Sequence, residues 1–394
     1  MNRSLAVLSL CAAVWACGAA RALDVVLTRI DGDELAGPLE ALDAEKGVTV
    51  GGKAVPLGEV EELRAKGARA EPAVALPQIV IRNGDTLAAG LVSGNDNELK
   101  VKSEILGELT LKNAVLRGIV FRPKVPPPES AVEAFMGGKN PEEDHLLTDR
   151  GETLNGFMER FSDKELAFEV GGQKRQHPYE NLAAFRYAAL EAFQGAEGVQ
   201  AVATLADGSR LSGLPAGVAD GRLNLKASEN LTWSLPLAKL VGLAVRGGKL
   251  VYLSDLEPKA VEELPLVGGA PVVMRWRKNL AANGTPLKIA KQDYDRGVGV
   301  HSYCKLTYEL GGNYALFLAE VGLDASAHPS AACAWKVLAD GKELAQGVSA
   351  AGEAAKKVKL EVKGAQSLEL ICDYGSDNDD MGDLLNWAKA RLVR

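Results

Sequence analysis

The residues with the most chemical potential sit near the C-terminus. Asp373-Tyr374-Gly375-Ser376-Asp377-Asn378-Asp379-Asp380-Met381-Gly382-Asp383 is the most acidic loop of the chain. Dense like charge in a short loop is costly without a counter-ion, and oxygen-rich loops hold Ca²⁺ through carboxylates and carbonyls. Asp377, Asp379 and Asp383 are therefore the candidate cation ligands, for a structural Ca²⁺. The spacing does not fit the EF-hand loop, and a plain solvated turn is the competing reading. His301 follows Gly297-Val298-Gly299-Val300 and can either hydrogen-bond a ligand or lock its own loop. Catalysis finds no support in motif order. No Ser/His/Asp arrangement, zinc signature, Walker loop or dinucleotide glycine motif occurs in a credible context. Gly297-x-Gly299 precedes a strand pattern rather than a helix, so it is no phosphate cradle.

The elements around these residues read as strands. Cys304, Leu306, Tyr308 and Leu310 alternate with Lys305, Thr307 and Glu309, the period of a half-buried strand. Gly311-Gly312-Asn313 supplies a hairpin turn, and Tyr314–Val321 follows as a largely apolar run. Ala339-Asp340-Gly341-Lys342 is another hairpin turn. Many short strands with closely spaced turns imply a β-sandwich.

The order of short motifs says more. Gly297-x-Gly299-x-His301-Ser302, Leu306-x-Tyr308-x-Leu310 and Tyr314-x-x-Phe317-x-x-x-Val321-Gly322-x-Asp324 come in sequence. Tyr252–Leu256 precedes them, and Gly382-Asp383-x-x-Asn386-Trp387-Ala388-x-Ala390-Arg391-Leu392 follows. Together they resemble the NPCBM family of carbohydrate-binding modules over roughly residues 250–394. The resemblance implies a jelly-roll-like sandwich and recognition of glycans, with galactose-type ends. Its segment after the aspartate usually reads His-Ala-Asp-Trp, where this chain has Leu384-Leu385-Asn386-Trp387. A sugar site needs planar polar groups for hydroxyls and an aromatic surface for the ring. His301, Asp324, Asp383 and Asn386 are the candidates for the first, and Tyr303 and Tyr374 for the second. Trp387 reads as core, since Trp is highly buried on average.

The stretch before this module is repetitive. Asp31-Gly32-Asp33, Asn83-Gly84-Asp85, Arg150-Gly151-Glu152 and Asp207-Gly208-Ser209 each follow an apolar run and precede an x-Leu step and a further glycine. These are hairpin signals in units of about 45–50 residues. The pattern resembles small SH3-like or Sm-like barrels at 23–70, 76–122, 145–190 and 198–247, with the sandwich at 249–394. The fold class expected is all-β: four small barrels, then a jelly-roll-like sandwich. A Pro/Gly-rich linker at 123–144, with a short helix at Glu129–Met136, is expected to hold the two halves apart. The barrels are a spacer or a platform for a protein partner.

Residues 1–22 read as a secretory signal: Arg3, an apolar Ser4–Ala16 run and Ala20-Arg21-Ala22 at the cleavage site. A lipoprotein start at Cys17 is the minor alternative. Cleavage removes two arginines and no acid, taking the net charge from −7 to −9 and arguing against nucleic acid as partner. It also leaves three cysteines, Cys304, Cys333 and Cys372, as buried thiols or as one disulfide and a free thiol. The chain thus reads as an exported, non-catalytic protein that recognises a glycan or glycosylated surface. The alternatives are a protein-interaction scaffold and a glycoside hydrolase without a recognisable motif.

Overall fold

A computed structural model describes residues 23–138, 141–188, 193–268, 272, 274–375 and 379–394. Residues 1–22, read above as a secretory signal with Cys17 as the alternative start, lie outside the described residues, as does Asp377. The protein is all-β, with one short α-helix among the described residues, at Glu129–Gly137. No helix among the described residues is long and apolar enough to cross a membrane.

Residues 24–246 form four copies of one strand plan: a strand, a long bent strand, two short strands, a 3-10 turn and a closing strand. In the first copy Asp24–Arg29 pairs antiparallel with both the next strand, Glu34–Asp43, and the closing strand, Val60–Ala65. The turn glycines Gly32, Gly84, Gly151 and Gly208 all have φ between 81° and 89°, the left-handed region that a side chain disfavours. The second copy splits its bent strand into Thr86–Ala88 and Gly90–Gly94.

The linker does not hold the two halves apart. The closing strands of the first and fourth copies pair antiparallel, Leu63 opposite Leu243. Those of the second and third do the same, Ile119 opposite Phe185. A further bridge sets Arg210 opposite Thr86, joining copies four and two. One apolar core, from Val25 through Phe161 to Val245, runs through all four copies. The physical reason is the free edge on each closing strand: its unpaired N–H and C=O groups are satisfied by the equivalent edge of another copy. The linker helix, meanwhile, packs Val132, Phe135 and Met136 against Leu147, Ala183 and Ala184.

The C-terminal unit is a sandwich of two antiparallel sheets. One runs in the order Arg277–Lys278, Gly297–His301, Leu384–Val393, Leu316–Leu323, Lys356–Glu361, with Leu250–Tyr252 also paired to the long Leu384–Val393 strand. The other runs Ala260–Glu263, Cys304–Glu309, Ser367–Tyr374, Ala332–Ala339, Lys342–Ala350. Trp387 is fully buried between them, edge-on to Trp335 with ring centroids 6.0 Å apart. Gly299 lets Gly297–His301 pass under the next loop, because a Cβ there would lie 2.6 Å from the Ala281 Cα.

The Leu384–Val393 strand also joins sandwich to repeats. Leu385 and Trp387 face the sandwich core, and after a bulge so do Ala390 and Leu392. Lys389 sits in that bulge with φ +48°. The extra residue re-aims the strand, sending Lys389 to Glu62 at 2.7 Å and Arg391 to Glu61 at 2.8 Å in the first repeat. Tyr252 donates to Glu61 at 3.1 Å, and Ile30 packs with Leu318 and Val393 beside this polar seam.

Candidate functional site: a cleft beside His301 and Tyr303

Three of the six candidate ligand residues turn inward. Asp324 is 2% exposed, and its carboxylate accepts from Asn386 Nδ2 at 2.7 Å, Ser326 N at 2.9 Å and Lys288 N at 3.2 Å. Asn386 has no exposed surface. Asp383 is likewise fully buried and accepts from the Ser302 hydroxyl at 2.7 Å. This corrects the expectation that Asp324, Asp383 and Asn386 touch a ligand. A carboxylate or amide inside a sandwich needs hydrogen-bond partners, and here the loop ends supply them. The three fix the loops instead: Asp324 and Asn386 tie the Lys288 turn to the sheet, and Asp383 anchors Ser302.

Of the cation candidates, Asp377 lies outside the described residues, and the other two are engaged by hydrogen bonds within the protein. The Asp379 carboxylate takes the Met381 N–H at 2.8 Å, while Asp383 points to Ser302. Among the described residues no three His, Cys, Asp or Glu side chains group as metal donors.

His301 and Tyr303 do share an open cleft of about 450 Å³. Its other walls are Glu263–Val267, with Val272 and Met274, and Asp380–Gly382. The size falls within the usual small-ligand range of roughly 300–1,000 Å³. The first wall is an extension of the Ala260–Glu263 strand, which pairs with Cys304–Glu309. Leu264 N donates to the Tyr303 carbonyl at 3.1 Å and so carries the chain on beside the sheet. Tyr374, expected as a stacking ring, instead donates its hydroxyl to the Leu264 carbonyl at 3.3 Å. It props the wall from behind rather than lining it. The opposite wall depends on Gly382, whose φ is +74° and where a Cβ would lie 2.5 Å from the His328 Cβ.

The polar chemistry of the cleft follows from local bonds. His301 Nδ1 lies 2.8 Å from the Ser302 carbonyl oxygen. A carbonyl only accepts, so Nδ1 carries the proton, and in the neutral ring Nε2 is left as an acceptor. Burial, and then the charge of Glu262, push the Tyr303 phenol up. It stays protonated at neutral pH, able to donate and to accept. The apolar part is exposed: Leu264 by 50%, Val267 by 69% and Met381 by 62%. Sequence reading missed this wall. Leu264-Pro265-Leu266-Val267 has neither the alternation of a strand nor a helical period, and Pro265 marks it only as a break.

A two-sheet β-sandwich with a polar-and-apolar cleft at its loop end defines the class of the C-terminal unit. Residues 249–393 match the family model described as "NPCBM/NEW2 domain", and the sandwich is a domain of that family. A curated relative from Renibacterium salmoninarum, described as "Putative endo-alpha-N-acetylgalactosaminidase", is 27% identical over 113 residues. That match covers 28% of this chain and spans only 7% of the relative's length. Among solved structures, the CBM51 module of a Clostridium perfringens GH95 protein, in complex with methyl-galactose, is 27% identical. It covers 36% of this chain and 99% of that chain, with a TM-score of 0.33. Tandem CBM51 modules of a Streptococcus pneumoniae family 98 glycoside hydrolase are 13% identical, covering 94% and 88% of the two chains with a TM-score of 0.32.

Proposed function

We propose that this is an exported, non-catalytic glycan-recognition protein whose C-terminal sandwich binds a sugar in the His301–Tyr303 cleft. The observation that carries the reading is the composition of that cleft within a domain of the NPCBM/NEW2 family. An imidazole acceptor and a phenol flank an exposed apolar wall, which is the combination a sugar ring with hydroxyl edges requires. The Renibacterium relative bears the name of a glycan-degrading enzyme, and the small share matched fits an accessory module in common rather than a catalytic unit. A galactose-type ligand is the first to try. The four repeats serve as the platform that carries the sandwich, and their strand plan fits small barrels of the SH3-like kind.

A shallow cleft with few anchors gives modest affinity, on the order of 10–1,000 μM. The test is a glycan array with the intact chain, followed by calorimetry on any hit. Tyr303→Ala should weaken binding by about tenfold or more, since desolvated aromatic anchors carry most of the energy. Glu45→Gln, on an exposed turn of the first repeat and outside the cleft lining, should leave it unchanged. No glycan bound at millimolar concentration by the folded protein overturns the reading. The exposed Leu264, Leu266, Val267 and Met381 would then be examined as a protein-binding surface.

A further inference from the structure

A second site is built where three distant parts of the chain meet. Gly84, Asp85 and Thr86 of the second repeat, Val202, Arg210 and Arg246 of the fourth, and Asn279, Asp295 and Arg296 of the sandwich line a cavity of about 360 Å³. Arg210, Arg246 and Arg296 also line the adjoining cavity of about 250 Å³, so all three arginines border one groove, close enough for their charges to act on Arg246. The groove shares no residue with the His301–Tyr303 cleft.

Arg210 and Arg246 are placed by strands, and Arg296 sits in the bend just before the Gly297–His301 strand. Arg210 is held opposite Thr86 and Arg246 opposite Gln200 in the backbone ladder. Arg296 is fixed by Asp255 at 2.6 Å and lies over the Tyr252 ring, 5.4 Å from its centroid. Among the described residues, neither Arg210 nor Arg246 has a carboxylate within ion-pair distance. Partial burial, and then the charges of Arg296 and Arg210, lower the Arg246 pKa, as expected where like charges converge.

The acids nearby do not neutralise the group. Asp255 is committed to Arg296. Asp85 is 4% exposed and is held by the Ser212 N–H at 2.7 Å and the Ser212 hydroxyl at 2.6 Å. Glu62 and Asp293, which line the adjoining cavity, are paired with Lys389 at 2.7 Å and Lys288 at 3.2 Å, and the exposed Asp295 remains as a competitor. Three planar forks with five donors each, beside the Thr86 hydroxyl and the Asn279 amide, suit a compact oxyanion. The net charge of −7 repels an extended polyanion, so the fit is to a single anionic group.

We propose that Arg210, Arg246 and Arg296 form a binding site for one carboxylate or sulfate group, carried by a free oxyanion or by an acidic sugar. The two sources share the chemistry, and separate probes distinguish them.

The test is calorimetry on the intact protein with sodium sulfate and with sodium glucuronate, using sodium chloride at matched ionic strength and neutral glucose as controls. Sulfate strengthens burial in any protein, so a melting-temperature rise alone is not the readout. Saturable binding of sulfate or glucuronate in the millimolar range or tighter is expected, with none for chloride or glucose. Tighter glucuronate points to an acidic sugar, and tighter sulfate to a free oxyanion. Arg246→Gln should weaken binding at least tenfold. Arg246→Lys, which keeps the charge and loses the fork, should weaken it less. Asp295→Asn should tighten it by removing the competing carboxylate. Arg210→Gln gives a second route should either Arg246 variant fail to fold. Absence of saturable binding of both anions, or equal binding by the folded Arg210→Gln and Arg246→Gln proteins, overturns the proposal.

Discussion

The Arg391 guanidinium lies 2.8 Å from the Glu61 carboxylate, and their side chains are 6% and 1% exposed. The pair belongs to the seam between the first repeat and the sandwich, with Tyr252 donating to the same glutamate. A buried ion pair is a poor source of net stability, but removing one partner strands the other. Glu61→Ala should destabilise the intact protein by about 3–5 kcal/mol. The double variant Glu61→Leu/Arg391→Met should recover most of that loss, because both desolvated charges are gone. Chemical denaturation of the two singles and the double decides it; simple addition of the single effects would contradict the coupling.

The neighbouring Glu62 supplies a pH test. Burial pushes its carboxyl up, but Lys389 at 2.7 Å and then Arg64 outweigh this and hold it below 4.5. A depressed acid stabilises the fold above its unfolded pKa, and that contribution is lost as pH falls through the lower folded value. Glu62→Gln should therefore cost stability near neutral pH and flatten the decline below about pH 4.5. Glu61 has the opposite sign, since burial raises its pKa despite Arg391. Melting temperature against pH for Glu62→Gln and wild type measures the effect, and parallel curves would count against it.

Gly382 forms one wall of the cleft at φ +74°. Gly382→Ala brings both a left-handed backbone cost and a clash with His328, together about 1–3 kcal/mol. The expected result is a lower melting temperature and weaker glycan binding, because the strand end at Leu384 lies just beyond. A variant with both properties unchanged would show that the loop relaxes freely.

Cys304, Cys333 and Cys372 are buried and not joined by a disulfide, with Cys304 opposite Cys372 in the sheet. Burial raises the pKa of the Cys304 and Cys372 thiols, which suppresses the reactive thiolate. A thiol reagent should find no reactive group in the native protein and three after denaturation of a chain from which residues 1–22 have been removed. Five would mean that the leader is retained, and one would mean that a disulfide has formed.

Much of the fold was written in local signals. The four Asp-Gly, Asn-Gly and Arg-Gly turns fall where a hairpin needs a left-handed glycine, and Asp340-Gly341 turns between paired strands. The docking of repeat on repeat was not legible, because edge pairing uses backbone groups that every sequence carries. The Leu384–Val393 strand hid its second face for another reason: the bulge at Lys389 breaks the alternation that marks an inside and an outside. His301 and Tyr303, singled out from their place in the motif, do line one cleft. Asp324, Asp383 and Asn386 were drawn into that group by polarity, which does not distinguish a ligand contact from a buried brace.

The pairing of closing strands imposes an order on biosynthesis. Copies two and three are consecutive and find each other early, whereas Val60–Ala65 waits for Leu240–Arg246, some 180 residues later, to emerge. Until then the first copy carries a bare strand edge of the kind that templates aggregation. Chains truncated before the fourth copy keep that edge for good, so nonsense products should be insoluble although each surviving copy has all its strands.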